Sequence, residues 1–147
     1  MGTRESKGFV LKEIGTVHND YDDEVPDDYK VRVSKVEVKK EYEDALSGIE
    51  ESSHIAVLCW FDKSDRSVLR VHPMGDESNP LTGVFATRAP VRPNPVSYTV
   101  CELLNREGTE LYVKGLDALE GTPVVDIKAY KRYDFEELEY PDWAMED

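Results

Sequence analysis

The chain has 147 residues, of which 39% are hydrophobic and 10% aromatic, and its formal net charge is −13. This length and composition predict one globular domain with a real hydrophobic core, and they exclude an intrinsically disordered chain. No apolar run approaches the roughly 18 residues of a membrane span, and no signal-peptide pattern is visible. We therefore expect a cytoplasmic protein without a membrane partner.

Short β-rich stretches separated by turn signals run through the chain, which is typical of all-β proteins. The predicted strands, in chain order, are 10–18, 29–38, 54–61, 68–72, 83–87, 96–104, 110–115 and 124–130. One short helix is predicted at about 42–48, where Gly48 would end it. About eight strands and little helix favour a single antiparallel β-barrel, because closure of the sheet removes unpaired edges.

The sequence divides into a barrel domain and two flanking segments. Residues 1–8 have no pattern and are predicted to be flexible, whereas residues 9–133 form the predicted barrel. Residues 134–147 form an acidic tail, with seven Asp and Glu side chains and no Lys or Arg. Near a binding site, this tail would compete with an anionic ligand; away from one, it would only increase solubility.

The cysteines and histidines do not form a recognisable motif. Cys59 and Cys101 lie in apolar stretches, which favours buried reduced thiols and leaves a disulfide open. His18, His54 and His72 are too far apart in sequence for a metal-ligand motif, so we predict no metal. We expect His54 in the core or at its rim. For His72, near the segment 78–101, a place in a binding site and a place outside one are equally expected.

One segment contrasts with the acidic character of the chain. Residues 78–101 contain no Asp or Glu, although the composition predicts about five there. Within it, residues 83–95, termed the arginine loop below, hold Arg88, Arg92 and three prolines. Arginine binds carboxylate or phosphate through two parallel hydrogen bonds, and proline stiffens the backbone before a ligand arrives. The loop therefore favours a site for an anionic ligand; the alternative is an irregular connection with two solvated arginines.

The arginine loop also resembles a known family. The run Gly-Val-Phe-Ala-Thr-Arg-Ala-Pro-Val-Arg-Pro-Asn-Pro at 83–95 is similar to the signature of the TsaA-like family of β-barrel tRNA methyltransferases. Segments 14–19, 46–55 and 116–130 resemble further family segments in the expected order, so the resemblance spans about 10–133. It implies an all-β barrel, usually a homodimer, that uses S-adenosylmethionine as cofactor and the anticodon loop of tRNA as partner.

The resemblance implies an activity and a set of site residues. The activity is N6-methylation of threonylcarbamoyladenosine at position 37 of tRNA. The positions that match the family's cofactor site are Asp27, Asp28, Tyr29, Phe61, Asp62, Arg88, Tyr98, Leu116, Asp117 and Ala118. The positions expected to face the acceptor are Arg92, Asn94, Asp126, Lys128 and Tyr130. Asp126 and Asn94 are the catalytic candidates, and the expected base is Asp126 or a water because no histidine lies inside the motif.

Three residues depart from the family pattern. Ser97 stands where the family usually has glycine, Tyr98 where it has Leu or Met, and Ala129 where it has proline. Tyr98 would either stack on the adenine of the cofactor or fill its space. A net charge of −13 is also unusual for a nucleic-acid-binding protein. These observations favour a second hypothesis, a non-catalytic barrel that senses S-adenosylmethionine and has no tRNA activity.

Overall fold

The computed structural model describes residues 8–131 and 138–146. Within these ranges, six antiparallel strands close into a barrel in the order β1-β2-β7-β6-β3-β8, and β4 and β5 form a separate small sheet. The strands are β1 Gly15–His18, β2 Val33–Val38, β3 His54–Trp60, β4 Arg70–Val71, β5 Thr82–Gly83, β6 Val96–Glu107, β7 Glu110–Lys114 and β8 Pro123–Ala129. The predicted all-β antiparallel barrel is confirmed, with six of the eight strands in the barrel wall.

Short 3₁₀ helices connect the strands. They lie at Tyr29–Val31, Lys40–Leu46, Ile49–Glu51, Pro73–Gly75, Val84–Ala86 and Asp142–Glu146. The predicted short helix corresponds to Lys40–Leu46, and Gly48 follows it with a left-handed φ of 86° that suits glycine. Of the helices in the described ranges, none has the length and hydropathy that a membrane span requires.

Four predicted strands are markedly shorter in the structure, among them the one expected at 68–72, which is Arg70–Val71. The strand expected at 83–87 is wrong beyond Gly83, because the next residues turn and the backbone N–H of Thr87 donates to the carbonyl of Val84 at 3.1 Å. The first strand begins at Gly15, since Phe9 and Val10 are 79% and 95% exposed and outside the sheet. The strand expected at 29–38 opens with a 3₁₀ turn before β2.

Alternating side chains fill the barrel interior. The fully buried residues include Val17, Val36, Ile55, Val57, Cys59, Cys101, Leu111, Val113 and Val124. Cys59 and Cys101 are free thiols, as the favoured interpretation predicts, and burial raises the pKa of each thiol to about 12. Gly15 permits the approach of β1 to β2, because a Cβ there would lie 2.5 Å from the carbonyl oxygen of Glu37.

The two ends of the barrel are built differently. Strands β1, β3 and β7 run in the same direction, so the connections that follow them, 19–32, 61–95 and 115–122, leave from one end, termed the loop end. The connection 39–53 after β2 covers the opposite end, termed the helix end, and buries Leu46 in the core. The cofactor positions expected from the sequence all lie in or beside the three connections of the loop end.

Candidate functional site

A groove with a volume of about 1690 Å³ opens at the loop end. All three connections contribute to its walls, and the groove continues along β6 as far as Glu102. Typical small-molecule pockets measure roughly 300–1,000 Å³. The groove therefore has room for a cofactor and for part of a second, larger ligand.

Seven of the ten expected cofactor positions line this groove. They are Tyr29, Phe61, Asp62, Arg88, Tyr98, Asp117 and Ala118. The other three lie outside its lining: Leu116 is 1% exposed and belongs to the core, and Asp28 accepts a hydrogen bond from Arg32 Nε at 2.7 Å. Asp27 is exposed. The role of all ten residues in cofactor binding stays a prediction, and the geometry favours the seven that share the groove.

The lining fits the chemistry of S-adenosylmethionine. Phe61 and Leu119 provide apolar surface of the kind that holds an adenine ring. Asp62 and Asp117 bring carboxylates that suit a cationic sulfonium and an amino group, and Arg88 brings a guanidinium that suits a carboxylate. Apolar walls and charges of both signs are what a cofactor with an aromatic base and an amino-acid end requires.

Arg88 and Tyr98 form one wall of the groove. The guanidinium carbon of Arg88 lies 5.7 Å from the centroid of the Tyr98 ring, within the range of a cation–π contact. Tyr98 is 43% exposed, so its ring is accessible to a ligand on the groove side. Tyr98, which stands where the family usually has Leu or Met, thus contacts Arg88 of the arginine loop.

Arg92 lines the groove but directs its guanidinium into the arginine loop. Its Nη2 donates to the carbonyl of Val84 at 2.6 Å, and its Nη1 donates to the carbonyl of Ala89 at 3.2 Å. Both nitrogens also lie 3.3 Å from the carbonyl oxygen of Thr87. Arg92 therefore joins three backbone carbonyls, a structural task that its residue type and position did not reveal in the sequence.

Arg66 supports the same loop from outside and was missed by the sequence analysis. Its Nε donates to the carbonyl of Pro93 at 2.7 Å, and its Nη2 donates to Asn94 Oδ1 at 3.0 Å. The guanidinium also lies 5.1 Å from the Trp60 ring centroid. Asn94, a catalytic candidate, is exposed and outside the groove lining, and in the structure it contacts Arg66.

A polar cluster ties the end of β1 to the 116–118 turn and was also missed. Asn19 Nδ2 donates to the carbonyl of Ala118 at 2.9 Å and to Ser34 Oγ at 3.0 Å. Glu120 accepts from His18 Nδ1 at 3.0 Å and from the backbone N–H of Asn19 at 2.7 Å. The hydrogen bond from His18, and then that from Asn19, lowers the pKa of the Glu120 carboxyl. The sequence offered no signal for these contacts beyond a polar residue after a strand.

Two histidines and one tryptophan complete the groove. His72 and His54 both line it, so His72 lies at the site. His54 is exposed and therefore not in the core, which leaves the rim, the other place expected for it. Trp143 lines it as well, so the described part of the acidic tail reaches the groove. Within residues 8–131 and 138–146, no cluster of three or more His, Cys, Asp or Glu residues is arranged to hold a metal ion.

The remaining acceptor candidates lie elsewhere. Asp126 and Lys128 line a second cavity of about 380 Å³ at the helix end, and Asp126 Oδ2 lies 3.0 Å from Lys128 Nζ. Tyr130 is 48% exposed and lines neither cavity. The structure thus separates these three residues from Arg92, with which the resemblance grouped them as acceptor positions.

Known proteins resemble this chain in sequence. The family model described as the tRNA-methyltransferase O N-terminal domain matches residues 17–134. An S-adenosyl-L-methionine-binding protein of Archaeoglobus fulgidus is 43% identical over 126 residues, which are 83% of this chain and 89% of that protein. A probable S-adenosyl-L-methionine-binding protein of the same organism is 46% identical over 124 residues, 82% of this chain but only 33% of its own length.

Solved structures resemble it in fold. Two crystal structures of TrmO from Pseudomonas aeruginosa superpose with TM-scores of 0.74 and 0.71 at 28% and 27% identity. They cover 94% and 92% of this chain, and this chain spans 62% of each. The family match and these structures bear out the resemblance to the TsaA-like proteins. The chain therefore belongs to the family described by the tRNA-methyltransferase O N-terminal domain.

Proposed function

We propose that this protein binds S-adenosylmethionine in the loop-end groove and methylates N6 of threonylcarbamoyladenosine at position 37 of tRNA. The observation that carries the proposal is the convergence of three connections on one groove, with seven of ten expected cofactor positions in its lining. The name of the Archaeoglobus fulgidus relative as an S-adenosyl-L-methionine-binding protein supports the cofactor. The family match supports the reaction class.

The groove residues would bind and orient both ligands. When bound, S-adenosylmethionine supplies a methyl group that its sulfonium has already activated. Asp62 and Asp117 would hold the cationic parts of the cofactor, and Arg88 would bind a carboxylate of the cofactor or of the modified nucleoside. The main contribution of the protein would then be alignment of the acceptor nitrogen with the methyl group, at about 3 Å.

The charge of the groove is compatible with RNA despite the acidity of the chain. Five Lys and Arg residues (Lys30, Lys63, Arg88, Arg92, Lys114) and six Asp and Glu residues (Asp23, Glu24, Asp62, Glu102, Asp117, Glu120) line it. The whole chain has 18 and 31, respectively. The groove is therefore close to neutral, and phosphates would approach it against a weaker repulsive field than elsewhere on the surface.

We also propose that the protein is a homodimer, as the resemblance implies. Leu69, Leu81 and Phe85, near the small β4–β5 sheet, are 66%, 53% and 84% exposed. Exposed apolar side chains that cluster in one region of a surface are a feature of protein–protein contacts. Light scattering on a gel-filtration column, at several protein concentrations, tests the dimer: a mass near 17 kDa at every concentration contradicts it.

A second candidate is the non-catalytic, S-adenosylmethionine-sensing barrel. The names of the two Archaeoglobus fulgidus relatives favour it, because they describe S-adenosyl-L-methionine-binding proteins. The net charge of −13 favours it as well. Trp143 also favours it, since the acidic tail reaches the surface that RNA would use. Both candidates share the cofactor site and differ in whether tRNA is bound and methylated.

Three measurements on the same protein separate the candidates. Calorimetric titration with S-adenosylmethionine measures cofactor binding, filter retention measures tRNA binding at 50 mM and 200 mM salt, and radiolabel transfer measures methylation. The tRNA is used with and without threonylcarbamoyl at position 37. We expect S-adenosylmethionine to bind, tRNA to be retained, and the methyl group to be transferred only to the modified tRNA. Cofactor binding without tRNA retention supports the sensing barrel, and no cofactor binding contradicts both candidates.

Arg88→Ala tests the role of the groove in methyl transfer, and Lys39→Ala at the helix end is its control. Arg88 lines the groove, whereas Lys39 is an exposed cation on the opposite end of the barrel. We expect Arg88→Ala to reduce methyl transfer by at least about tenfold without unfolding the barrel, the cost of one charge-assisted contact. Equal rates from the two variants contradict the role of Arg88.

A further inference from the structure

The proposed reaction requires a base because of the electronic state of N6. In threonylcarbamoyladenosine, N6 is bonded to both the purine ring and a carbamoyl carbonyl, and its lone pair is delocalised into both. For transfer, the new N6–CH₃ bond forms while the S–CH₃ bond breaks and its electron pair stays on sulfur. The N6–H proton must leave to a neighbouring acceptor. A side chain that accepts this proton, directly or in place of a water, has to reach the groove.

His72 has the geometry of a proton acceptor in the groove. Its Nδ1 lies 2.8 Å from the backbone carbonyl oxygen of Asn79. A carbonyl only accepts hydrogen bonds, so Nδ1 carries the proton and Nε2 of the neutral ring keeps its lone pair. The residue lines the groove and is exposed, which leaves Nε2 available to a ligand.

The segment around His72 is held in place by its own contacts. Asn79 Nδ2 donates to the carbonyl of Pro73 at 2.8 Å, and Pro73 is buried. The backbone N–H of Gly75 donates to the carbonyl of His72 at 3.1 Å. Met74, between them, adopts φ 61° and ψ 17°, a left-handed conformation that side chains other than glycine rarely take. Strained residues of this kind concentrate at functional sites.

The other candidates fit less well. His54 Nδ1 contacts Ser53 Oγ at 2.8 Å, and a hydroxyl both donates and accepts, so the tautomer of His54 is not fixed. His18 has its two ring nitrogens beside the carboxylates of Glu120 and Glu37 and lies outside the groove lining. Asp126, the base expected from the sequence, lines the cavity at the helix end.

We propose, on the basis of the proposed function, that His72 Nε2 accepts the N6 proton during methyl transfer. His72 is then a catalytic residue outside the family signature, contributed by the connection between β4 and β5. The hydrogen bond to Asn79 keeps the imidazole in the tautomer that can act as a base. Two histidines share the groove, and only the one with the fixed tautomer takes the proton.

His72→Asn tests this with little disturbance of the loop. The asparagine amide can donate to the Asn79 carbonyl from the position of Nδ1, but it has no basic nitrogen. We expect single-turnover transfer to modified tRNA to fall about 100-fold, the usual contribution of a general base. Cofactor affinity and tRNA retention should stay within about twofold of the wild type, because the lost interaction acts only in the chemical step. Glu77→Gln, at an exposed position of the same connection outside the groove lining, is the control and should keep the wild-type rate.

Nitrogen-15 NMR of the histidine rings provides a readout that needs no turnover. We expect Nδ1 of His72 to be protonated and Nε2 unprotonated in the neutral ring, with the resonances assigned through the His72→Asn spectrum. A wild-type transfer rate from His72→Asn, or a proton on Nε2, overturns the base assignment alone. A wild-type protein that binds the cofactor and transfers nothing overturns the proposed function, and the base assignment falls with it.

Discussion

The two ends of this barrel achieve order by different means. At the helix end, Leu46 enters the core, and Tyr42 and Ile49 pack against it, so apolar burial fixes the connection 39–53. At the loop end, hydrogen bonds from Arg92 and Asn19 to backbone carbonyls fix longer connections. The same barrel is thus packed mainly by apolar side chains at one end and carries a groove braced by hydrogen bonds at the other, where we propose that the ligand binds.

The largest expected effect separates stability from binding. Leu46→Ala removes a side chain that is 3% exposed, and we expect it to lower the free energy of unfolding by about 2–5 kcal/mol. The cofactor affinity of the folded protein should be unchanged, because the groove lies at the other end. Urea denaturation and calorimetric titration measure the two quantities, and Ala45→Ser, at an exposed position of the same helix, is the control. A matching loss of affinity in folded protein would show that the two ends of the barrel are not independent.

Arg92→Lys tests polar fixation of the arginine loop. Lysine keeps the charge but cannot reach the carbonyls of Val84, Thr87 and Ala89 with one ammonium group. We expect a stability loss of about 1–3 kcal/mol and faster hydrogen exchange in residues 83–95.

The control is Arg88→Lys: within the described residues, Arg88 contacts the Tyr98 ring and donates to none of the loop carbonyls. It should leave hydrogen exchange of the loop unchanged. If both variants loosen the loop equally, the carbonyl contacts of Arg92 do not hold it.

A smaller effect is expected where β1 meets the 116–118 turn. Asn19→Asp keeps the oxygen that accepts from the Tyr21 N–H but loses both donors, and its carboxylate faces the Ala118 carbonyl. We expect cofactor affinity to fall about tenfold, or about 1.4 kcal/mol.

Ser34→Ala is the matched control, since it removes the second partner of the same amide and a contact of the Tyr21 hydroxyl but leaves the bond from Asn19 to Ala118 in place. Both variants should lose thermal stability, yet Ser34→Ala should bind the cofactor like the wild type. Equal affinities in the two variants would show that Asn19 does not position the turn for binding.

The smallest effect belongs to the exposed pair on β8. Asp126 and Lys128 have side chains that are 47% and 62% exposed, and pairs of this kind contribute about 1 kcal/mol or less to stability. We expect Lys128→Ala to change neither stability nor cofactor affinity measurably. A large loss of tRNA retention in Lys128→Ala would instead show that the helix end takes part in acceptor binding.

The sequence predicted the barrel and the region of the site for identifiable reasons. Strands such as β3 and β6 alternate or run apolar over enough residues for periodicity to define them. The absence of acids from residues 78–101 marked the segment whose loop forms one wall of the groove. Both signals are local, so one sequence is sufficient to read them.

The arrangement within the site depends on contacts between distant segments. Arg88 and Arg92 are four residues apart, yet one faces the groove and the other bonds to its own loop. Asp126 shares a family motif but lies on β8, whose register directs it to the other cavity. His72 and Trp143 reach the groove only through tertiary folding. No local pattern contains this information.

Hydrogen exchange with and without S-adenosylmethionine tests most directly which end of the barrel is the site. The measurement follows segments 19–32, 61–95 and 115–122 at the loop end and 39–53 at the helix end. We predict that saturating cofactor slows exchange in the three loop-end segments and leaves 39–53 unchanged. Slower exchange in 39–53 and 126–129, together with unchanged exchange at the loop end, would contradict cofactor binding in the loop-end groove.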